Sequence, residues 1–577
     1  MSTCASRLPY EVWKLIAPLL QREDVYNCAL ACKEWYACFI TFLLDEVGIS
    51  GRRELDRLCG MLQKSGLGHH IRTLKLDRFN ALEDKVQELQ RMCPRVRSLC
   101  LGRTLSEVWE RASFPGYAAT TVRLFHAFAP QVTGLTLNAC AFRPKWHSCD
   151  DLSFLRSCPH LKYLCVLSID ELRIASLELI HAFCPQLEDL ELEGAYLRDA
   201  TYEDAEAVAQ VRPMRKIRLS FSTGWCRYQT WLRAFAFKYP NLEFLELDNR
   251  HGIISLRRED EELRLQEQRS FQLLAHYCHK LRHIRTNHVS LDPRLFESLN
   301  SYQTQLDTLY LHNLWRHGRK TTLAALDCGR DTLHTFSLTI PGSVEKEELL
   351  PLLGACNQLT HLKLADVDGF GPKEYQISEI LYYCRALKTL KVRHLTIVSF
   401  DEEDVAKSHH PLESLIMKQV MFDQETLDSI RNCCPNLQEL SLIGCSRLEC
   451  TDNRQLHIQL PEHRLRSVIL QDIHCCCCVD RIKYFLLIRS NEESWFHVRH
   501  VKSGPKFLPV TKMFTGNELD LLKQAVIDPS AEYTYTKKLR SSDGKAFSWS
   551  FEDLVRGYLS IYCLSLDRLV VDDARLV

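Results

Sequence analysis

The sequence predicts an α/β solenoid, in which a curved parallel β-sheet has helices along its outer side. The first observation is a frame that recurs along most of the chain and is clearest in LDSIRNCCPNLQELSL, between Leu427 and Leu442. Apolar residues have helical spacing before Pro435 and alternate after it, so the period changes from about 3.6 to about 2. Each copy therefore predicts one helix followed by one short strand.

The second observation is the spacing of the copies. The first apolar residue of the strand half recurs mostly at steps of roughly 25 to 29 residues, within the range for leucine-rich repeats. The two longer steps, 96 to 132 and 242 to 281, leave room for loops. The fifteen strand positions are Ile71, Val96, Val132, Leu161, Leu187, Met214, Leu242, Leu281, Leu306, Leu333, Leu359, Leu387, Leu412, Leu437 and Leu465.

Charge and hydropathy narrow the functional class. Lys plus Arg equal Asp plus Glu at 73 each, so no global field draws the chain to nucleic acid or an anionic membrane. The start, MSTCASRLPYEVW, has no signal-peptide pattern, and no apolar run approaches the ~18 residues of a membrane span. We expect a soluble chain in the cytoplasm, the nucleus or both.

The 26 cysteines are expected to be reduced. Many occupy one repeat position just before a strand, where a small buried thiol packs well. His474 precedes a run of four, from Cys475 to Cys478, but zinc sites need ligands that converge from spaced positions. No metal site and no cofactor are therefore predicted.

The N-terminal segment from residue 8 to 36 does not follow the repeat frame. Leu8 and Pro9 are predicted to open a helix with an apolar stripe, and Pro18 to kink or end it. Asp24 is a candidate N-cap for a second helix, and Trp35 completes a compact helical group.

This segment resembles the F-box, the module by which substrate adaptors dock on the Skp1 subunit of cullin-RING ubiquitin ligases. The residues that carry the resemblance are Leu8, Pro9, Glu11, Val12, Ile16, Leu20, Asp24, Val25, Cys28, Cys32, Lys33 and Trp35, in the family's order and spacing. Ala31 departs from it, because the family more often has valine there. The family also commonly continues into leucine-rich repeats that bind the substrate, as the pattern predicts here.

The resemblance implies a Skp1-facing surface formed by Leu8, Pro9, Ile16, Leu20 and Val25. It also implies that Cys28, Cys32 and Trp35 are more internal. The structural alternative is that these helices only cap the first repeat, because the end of a solenoid needs a cover.

The predicted architecture therefore has three parts: a small all-α F-box over residues 1–45, the leucine-rich repeat solenoid over 46–474, and a capping region over 475–577. The helix predicted over residues 51–65 places Leu55, Leu58 and Leu62 on one face, and Gly66 is suited to end it. We expect this helix to join the F-box rigidly to the repeats.

Charges at the outward positions of the central strands alternate in sign. Glu188, Asp189 and Glu191 are followed by Arg215, Lys216 and Arg218 one repeat later, and then by Glu243 and Glu246 and by Arg282 and Arg285. Opposite charges in adjacent strands stabilise each other, so we interpret the pattern as mainly structural.

The later strands carry basic residues with little acid between them apart from Glu413. His361, Lys363, Lys388, Lys391 and Arg393 form the candidate substrate-binding set, followed by His394 and Lys418. They predict either a site for an acidic or phosphorylated segment or an ordinary solvated basic face.

Two stretches interrupt the repeat. The charged segment from residue 256 to 268 is either an exposed helical excursion or a loop. Beyond residue 480, strands are predicted over 484–488 and 495–501 and a helix over 517–527, and Leu566, Leu569 and Val571 recover the strand spacing. The aromatic residues Trp495, Phe496, Phe547 and Trp549 are interpreted as a cover for the solenoid end, with substrate binding by this region as the alternative.

No nucleotide-binding, nucleophile–base or metalloprotease motif is found at a spacing above chance, so catalysis is not expected. The resemblance and the repeat together predict a substrate adaptor of an SCF-type ligase, with Skp1 and a protein substrate as partners. Two alternatives remain: an interaction scaffold outside any ligase, and a thiol enzyme within residues 475–577.

Overall fold

The computed structural model describes residues 9–20, 22–77, 83–101, 125–138, 149–167, 172–198, 201–207, 211–222, 228–249, 261–289, 291–314, 318–366, 373–399, 409–448, 455–474, 481–490, 492–503, 506–527 and 558–577. Within these ranges the chain forms two compact units, Met1–Val289 with Ser301–Thr304 and Ser290–Asn300 with Gln305–Val577. Each unit is built from alternating helices and parallel strands.

The first unit contains nine described strands in one parallel sheet, each paired with the next along the chain. They are β1 Glu46–Ser50, β2 Thr73–Asp77, β3 Ser98–Leu101, β4 Gly134–Asn138, β5 Tyr163–Leu167, β6 Asp189–Tyr196, β7 Lys216–Ser222, β8 Phe244–Asn249 and β9 His283–Asn287. The helices are α1 Tyr10–Ile16, α2 Arg22–Ala31, α3 Lys33–Asp45, α4 Arg52–Ser65, α5 Glu83–Met92, α6 Ile174–Phe183, α7 Tyr202–Glu206, α8 Tyr228–Lys238 and α9 Glu261–Tyr277. Short 3₁₀ turns lie at Ala17–Leu19, Leu67–His70, Ala129–Gln131 and Cys149–Ser157.

The second unit shows the same alternation of helices with parallel strands. Its strands are β10 Thr308–His312, β11 Thr335–Ile340, β12 His361–Asp366, β14 Thr389–Arg393, β16 Ser414–Lys418, β18 Glu439–Ile443, β21 Ser467–Gln471 and β26 Leu569–Val571, with β27 Ala574–Arg575 antiparallel to β26. The helices are α10 Pro293–Ser301, α11 Gly318–Cys328, α12 Lys346–Ala355, α13 Ile377–Tyr383, α14 Gln424–Cys433 and α15 Asn517–Ile527.

Two smaller sheets complete the second unit. Four very short parallel strands form one of them: β13 Glu374–Gln376, β15 Thr396–Val398, β17 Met421–Phe422 and β19 Ser446–Arg447. The other is five-stranded and mixed, in the order β20 Gln455–Leu465, β25 Tyr558–Leu566, β22 Tyr484–Arg489, β23 Glu492–Ser503 and β24 Lys506–Met513. The first of these sheets and β1 were not predicted from the sequence.

The repeat frame forms the core of each unit. All fifteen residues predicted to begin a strand half are at most 1% exposed, and each is followed two residues later by a strand. The parallel register joins equivalent positions of neighbouring repeats, for example Leu190 with Ile217 and Leu390 with Leu415. The prediction of a leucine-rich repeat fold with a parallel sheet and helices is therefore confirmed.

The repeat cysteines lie in this core as free thiols. Cys184 and Cys278 are fully buried, and their Sγ atoms lie 3.9 Å from the carbonyl oxygen of Leu155 and 3.4 Å from that of Tyr239. Each thiol thus reaches a backbone carbonyl of the preceding repeat. In two repeats a histidine does the same, since the His410 and His463 rings lie 3.0 and 2.9 Å from the carbonyl oxygens of Cys384 and Cys434.

Several local predictions are confirmed, and others need correction. Pro18 falls in a 3₁₀ turn just after α1, and Gly66 ends α4 with a left-handed φ of 67°. Asp24 is not an N-cap, because α2 already begins at Arg22. Residues 261–268 belong to the repeat helix α9, whereas 256–260 lie outside the described residues.

The sheets cross the boundary predicted between residues 474 and 475. β20 precedes that boundary, yet it pairs with β25 from the C-terminal region. Conversely, β26 returns to pair with β21 in the repeat sheet, as the spacing of Leu569 and Val571 predicted. The strands predicted over 484–488 and 495–501 and the helix over 517–527 are confirmed as β22, β23 and α15.

Candidate functional site

The N-terminal helices pack around a small aromatic core. Trp13, Val25, Ala29 and Phe39 are buried together, and the ring centroids of Trp13 and Phe39 lie 5.1 Å apart in an edge-on arrangement. Cys32 is the N-cap of helix α3, and its Sγ accepts a hydrogen bond from the Trp35 backbone N–H at 3.5 Å. The three helices thus form a compact group with a core of their own.

The outer surface of this group carries large apolar side chains. Leu15 and Leu19 are 73% and 84% exposed and lie four residues apart, across α1 and the turn that follows it. Tyr26 and Leu30 are 54% and 64% exposed and lie four residues apart on α2, hence on one side of that helix. Clustered exposed apolar residues are typical of partner-binding surfaces.

The residues predicted to face Skp1 are placed unevenly. Pro9 is exposed at the start of α1, and Ile16 and Leu20 are half-buried against the aromatic core, whereas Leu8 lies outside the described residues. Val25 is only 6% exposed, so its predicted surface role is corrected to a core role. Cys32, predicted to be internal, is exposed. Leu15, Ile16, Leu19 and Leu20 are all apolar, so the sequence pattern does not show which of them face outward. For this reason Ile16 and Leu20 were predicted to be the surface residues instead of Leu15 and Leu19.

The helical group passes into the repeat sheet without a spacer. Helix α3 ends at Asp45 and β1 begins at Glu46. The backbone N–H of Arg72 donates to the Asp45 carbonyl oxygen at 3.0 Å, and the Arg22 guanidinium donates to the Glu46 carbonyl oxygen at 3.5 Å. These bonds tie both the end of α3 and the start of α2 to the first two strands.

The exposed sheet face of the first unit is a network of opposite charges. Arg218 on β7 lies 3.3 Å from Asp189, 3.4 Å from Glu191 and 3.9 Å from Glu246, on the strands to either side. Its guanidinium also lies 5.1 Å from the Phe244 ring centroid. Burial raises the pKa of Asp189 and of Glu246, and the nearby arginines oppose this effect.

Further pairs extend this network to neighbouring strands. Arg215 contacts Glu243 with two hydrogen bonds of 3.0 and 2.8 Å, and Arg285 contacts Glu246 at 3.2 Å. The alternating charges predicted from the sequence therefore pair across strands, as the structural interpretation expected. This face offers balanced charge rather than a groove of one sign.

The candidate substrate set lies on the exposed sheet face of the second unit. The register places Lys363 on β12 directly opposite Lys391 on β14, and Ala365 opposite Arg393. Lys418 on β16 is in turn opposite Arg393. The structure thus brings four of these cations into two adjacent rows, with Lys391, Arg393 and Lys418 exposed.

The other members of the set lie at the start of the strands. His361 is exposed, and its Nδ1 lies 2.9 Å from the Thr360 hydroxyl. Lys388 pairs with Glu413 at 3.4 Å, so its charge is already compensated. The Arg393 guanidinium, by contrast, donates to the neutral side-chain amide of Gln419 at 3.3 and 3.4 Å.

A second polar cluster is buried behind the sheet of the first unit. His181 is fully buried, and its Nε2 lies 2.9 Å from the Tyr239 hydroxyl. Burial, aided by the nearby charges of Lys238 and Arg212, lowers the pKa of His181 to about 3. Lys238 is also buried and pairs with Glu178. With no exposed surface on His181 or Lys238, this cluster is suited to packing rather than to binding a substrate.

The buried repeat thiols are unsuited to nucleophilic chemistry. Burial raises the pKa of Cys158, Cys184, Cys278 and Cys434 to about 12, so the reactive thiolate is scarce at neutral pH. The run from Cys475 to Cys478, where a thiol enzyme was considered, lies outside the described residues, as do Phe547 and Trp549. Trp495 and Phe496 are buried and lie in the five-stranded sheet.

The described residues contain neither a candidate metal centre nor a candidate membrane-spanning helix. No three His, Cys, Asp or Glu side chains among the described residues are grouped so that they could hold a metal ion. Likewise, none of the helices in the described ranges combines the length and apolar character needed to span a bilayer.

Comparison with known proteins finds similarity in structure alone. No protein-family model matches the chain, and no curated protein matches its sequence. A leucine-rich repeat protein of Leptospira interrogans is similar at a TM-score of 0.35 and 13% identity, over 74% of this chain and 95% of that one. TLR13 in its complex with ssRNA13 is similar at a TM-score of 0.36 and 15% identity, over 70% of this chain and 54% of that one.

At these TM-scores the similarity adds nothing to the assignment of the fold. The assignment rests on the buried repeat frame and on the parallel register of the strands in each unit. On those grounds, the described part of this chain is a leucine-rich repeat structure.

Proposed function

We propose that this chain is a protein-interaction scaffold and, more narrowly, the substrate adaptor of an SCF-type ubiquitin ligase. The N-terminal helices dock on Skp1, and the repeats bind a protein substrate. The observation that carries the proposal is the exposed apolar surface of the helical group, with Leu15 and Leu19 more than 70% exposed on a folded module. The resemblance of this segment to the F-box names Skp1 as the partner.

The mechanism is one of proximity. The ligase subunits that Skp1 recruits bring the charged ubiquitin-conjugating enzyme near the bound substrate, which raises the effective concentration of substrate lysines around it. The continuous passage from α3 to β1 supports this role, because it holds the docking helices at a fixed place on the first repeats. The chain itself performs no chemistry in this proposal.

Substitution of the exposed Leu15 and Leu19 tests Skp1 binding more directly than substitution of the half-buried Ile16. Leu15→Asp with Leu19→Asp changes the surface of the helical group, whereas Ile16→Asp would also disturb its core. We expect purified full-length chain to retain Skp1 in a pull-down and the double variant to lose it by more than tenfold. Circular dichroism at matched concentration verifies that both chains are folded.

The matched control is Met61→Asp, because Met61 is 59% exposed on α4, outside the helical group. This variant should retain Skp1 fully. If the unmodified chain binds no Skp1, the helices serve as a cap on the repeats, and only the broader role of an interaction scaffold remains. Equal loss in the control would trace the effect to general misfolding instead.

A further inference from the structure

The exposed sheet face of the second unit changes character from one strand to the next. In one row across the strands, the register places Lys363, Lys391, Ile416, Ser441, Ile469 and Val570 side by side. The adjacent row runs through Ala365, Arg393, Lys418, Ile443 and Gln471. We call these eleven residues the mixed face, because cations occupy one half of it and aliphatic side chains the other.

The cationic half contains like charges that are direct neighbours. Lys363 is paired in register with Lys391, and Arg393 with Lys418. Like charges directly opposite each other on adjacent strands destabilise a sheet. The first unit avoids this cost, since Glu191, Arg218 and Glu246 alternate in its equivalent row. No acidic residue occurs among the eleven of the mixed face, so an anionic partner is the natural complement.

The aliphatic half begins at the next strand. Ile416 is the register neighbour of Lys391, and Ile469 and Val570 follow in the same row beyond the small Ser441. All three aliphatic side chains are half-buried on the outward side of their strands. They offer flat apolar area that a bulky side chain of a partner can cover.

The dimensions fit a short extended peptide. Five strand steps separate Lys363 from Val570, which spans about 24 Å at the usual spacing of neighbouring strands. An extended chain covers this distance with about seven residues. A nucleic acid fits less well, because its evenly spaced phosphates would meet cations on only half of this face. A membrane also fits poorly, because Ile416, Ile469 and Val570 are already half-buried and leave little apolar area to insert.

We infer that the mixed face binds an extended protein segment that carries anionic side chains next to bulky apolar ones. The anionic groups lie over Lys391, Arg393 and Lys418, and the apolar side chains cover Ile416, Ile469 and Val570. This inference rests on the proposed function, because it names the kind of segment that the adaptor's substrate would present. It removes Lys388 from the candidate set, since that cation pairs with Glu413, and it adds Lys418 and the aliphatic residues.

The experiment selects peptides on the intact protein. A phage library of random twelve-residue peptides is panned on the full-length chain, and the enriched peptides are synthesised with a fluorescent label for anisotropy titrations. We expect enriched sequences to combine Asp or Glu with Leu, Ile, Phe or Trp inside a window of about seven residues. The absence of any binder, or enrichment of sequences without acidic residues, would overturn the inference.

Two double variants test the two halves of the mixed face separately. Lys391→Glu with Arg393→Glu should weaken the selected peptides at least tenfold, and Ile416→Ser with Ile469→Ser should also weaken them severalfold. The charge-matched control is Arg53→Glu with Lys64→Glu, because both residues are exposed on α4 in the first unit. Unchanged affinity in the first variant would show that the peptides bind elsewhere and would refute the assignment.

Two further measurements distinguish phosphate from carboxylate as the anionic group, and distinguish peptide binding by the mixed face from Skp1 binding by the N-terminal helices. Resynthesis of a selected peptide with phosphoserine at its acidic positions shows whether phosphate or carboxylate is preferred. Skp1 pull-downs with the Lys391→Glu, Arg393→Glu chain should remain positive, because these residues lie outside the N-terminal helices. Peptide binding without Skp1 retention would leave this inference standing while the adaptor function fails.

Discussion

At the scale of single residues, burial decides the chemistry of the titratable side chains. His181 and the repeat cysteines are removed from water, so the histidine stays neutral and the thiols stay protonated. The acidic residues of the first unit's sheet face instead lie against arginines. Both arrangements stabilise the repeats, and the buried groups give two measurable predictions.

The first prediction concerns acid. Native His181 stays neutral down to a pKa of about 3, but in the unfolded chain it takes up a proton near pH 6.5. Its contribution to stability is therefore present above pH 6.5 and is lost as pH falls towards 3, by up to about 1.4 kcal/mol per pH unit. His181→Gln should reduce the fall in free energy of unfolding between pH 7 and 5 by at most about 2 kcal/mol.

Urea titrations followed by tryptophan fluorescence at the two pH values provide the measurement. His279→Gln is the control, because His279 is exposed in the same unit and its replacement should leave the fall unchanged. A fall of equal size in the His181 variant would mean that other groups set the acid response.

The second prediction concerns thiol reactivity. Cys32 is exposed, whereas Cys184, Cys278 and Cys434 are fully buried with pKa values raised to about 12 by that burial. With iodoacetamide at pH 7.5, mass spectrometry should find Cys32 alkylated in the native chain and the three buried thiols alkylated only after denaturation. Rapid selective labelling within Cys475–Cys478 would instead revive the alternative of a thiol enzyme.

Single residues also show the limit of reading a surface from sequence. The repeat positions were predictable because each leucine or cysteine recurs in a frame that only a buried strand or helix explains. Val25 was misplaced because the helical group is apolar on several sides, and the pattern alone does not tell its inner side from its outer one. Leu15 and Leu19 were missed as surface residues for the same reason.

At the scale of elements, the ends of the repeat strands share one backbone device. His394, Gln419, Gly444 and Asp472 directly follow successive strands, and all have a left-handed φ between 52° and 62°. The backbone N–H of Gln419 donates to the Ile443 carbonyl oxygen at 2.6 Å, and that of Gly444 donates to Gln471 at 2.7 Å. The same turn recurs and leads the chain into the short strands β15, β17 and β19.

This device gives the third prediction. Gly444→Ala should lower the free energy of unfolding by about 1 to 2 kcal/mol, because a side chain in a left-handed residue is strained. The added Cβ would also lie 3.2 Å from Cγ of Gln419. The reverse change, Gln419→Gly, relieves the strain at a φ of 52° and should stabilise by up to about 1 kcal/mol.

Thermal unfolding followed by circular dichroism compares the three chains. Gly342→Ala is the matched control, because Gly342 lies in open space without a left-handed φ. If Gly444→Ala unfolds like this control, the left-handed turn carries no strain in the folded chain.

The four short strands explain why this sheet was absent from the prediction. Each is two or three residues long, which is too short for a hydrophobic alternation to be visible in sequence. The positions of β15, β17 and β19 follow from the left-handed turns at His394, Gln419 and Gly444, and two of these three turn residues are not glycine. The helix over 517–527 and the hairpin of β22 and β23, by contrast, carry clear periodicity and were predictable.

At the scale of the whole molecule, the C-terminal region supplies strands to the repeat sheet and also shares a five-stranded sheet with β20. β26 supplies the neighbour of β21, and β25 lies between β20 and β22. The sequence predicted β26, because Leu566, Leu569 and Val571 repeat the strand spacing of the solenoid. It could not assign β20 to the other sheet, because alternating apolar residues reveal a strand but not its partner.

The fourth prediction follows from this interleaving. A chain that ends at His474 lacks β25, which pairs with β20, and β26, which pairs with β21 on the side away from β18. We expect it to aggregate or to melt with a broad transition, because unpaired strand edges can pair with other chains. Size-exclusion chromatography and circular dichroism provide the test. The control chain ends at Asp573 and lacks only β27 and the last two residues, so it should stay monodisperse. A well-folded, monodisperse chain ending at His474 would restore the boundary predicted from the sequence.

Because α3 passes directly into β1, the direction of the N-terminal helices relative to the first strand depends on the number of residues at this junction. One residue added to the end of α3 would turn the preceding helices by about 100° about its axis. One residue added within β1 would reverse the sides of the strand and bring Ile49, now 2% exposed, to the surface. A substitution at this junction keeps the number of residues and so keeps this direction. A single insertion or deletion would rotate the N-terminal helices and any partner bound to them.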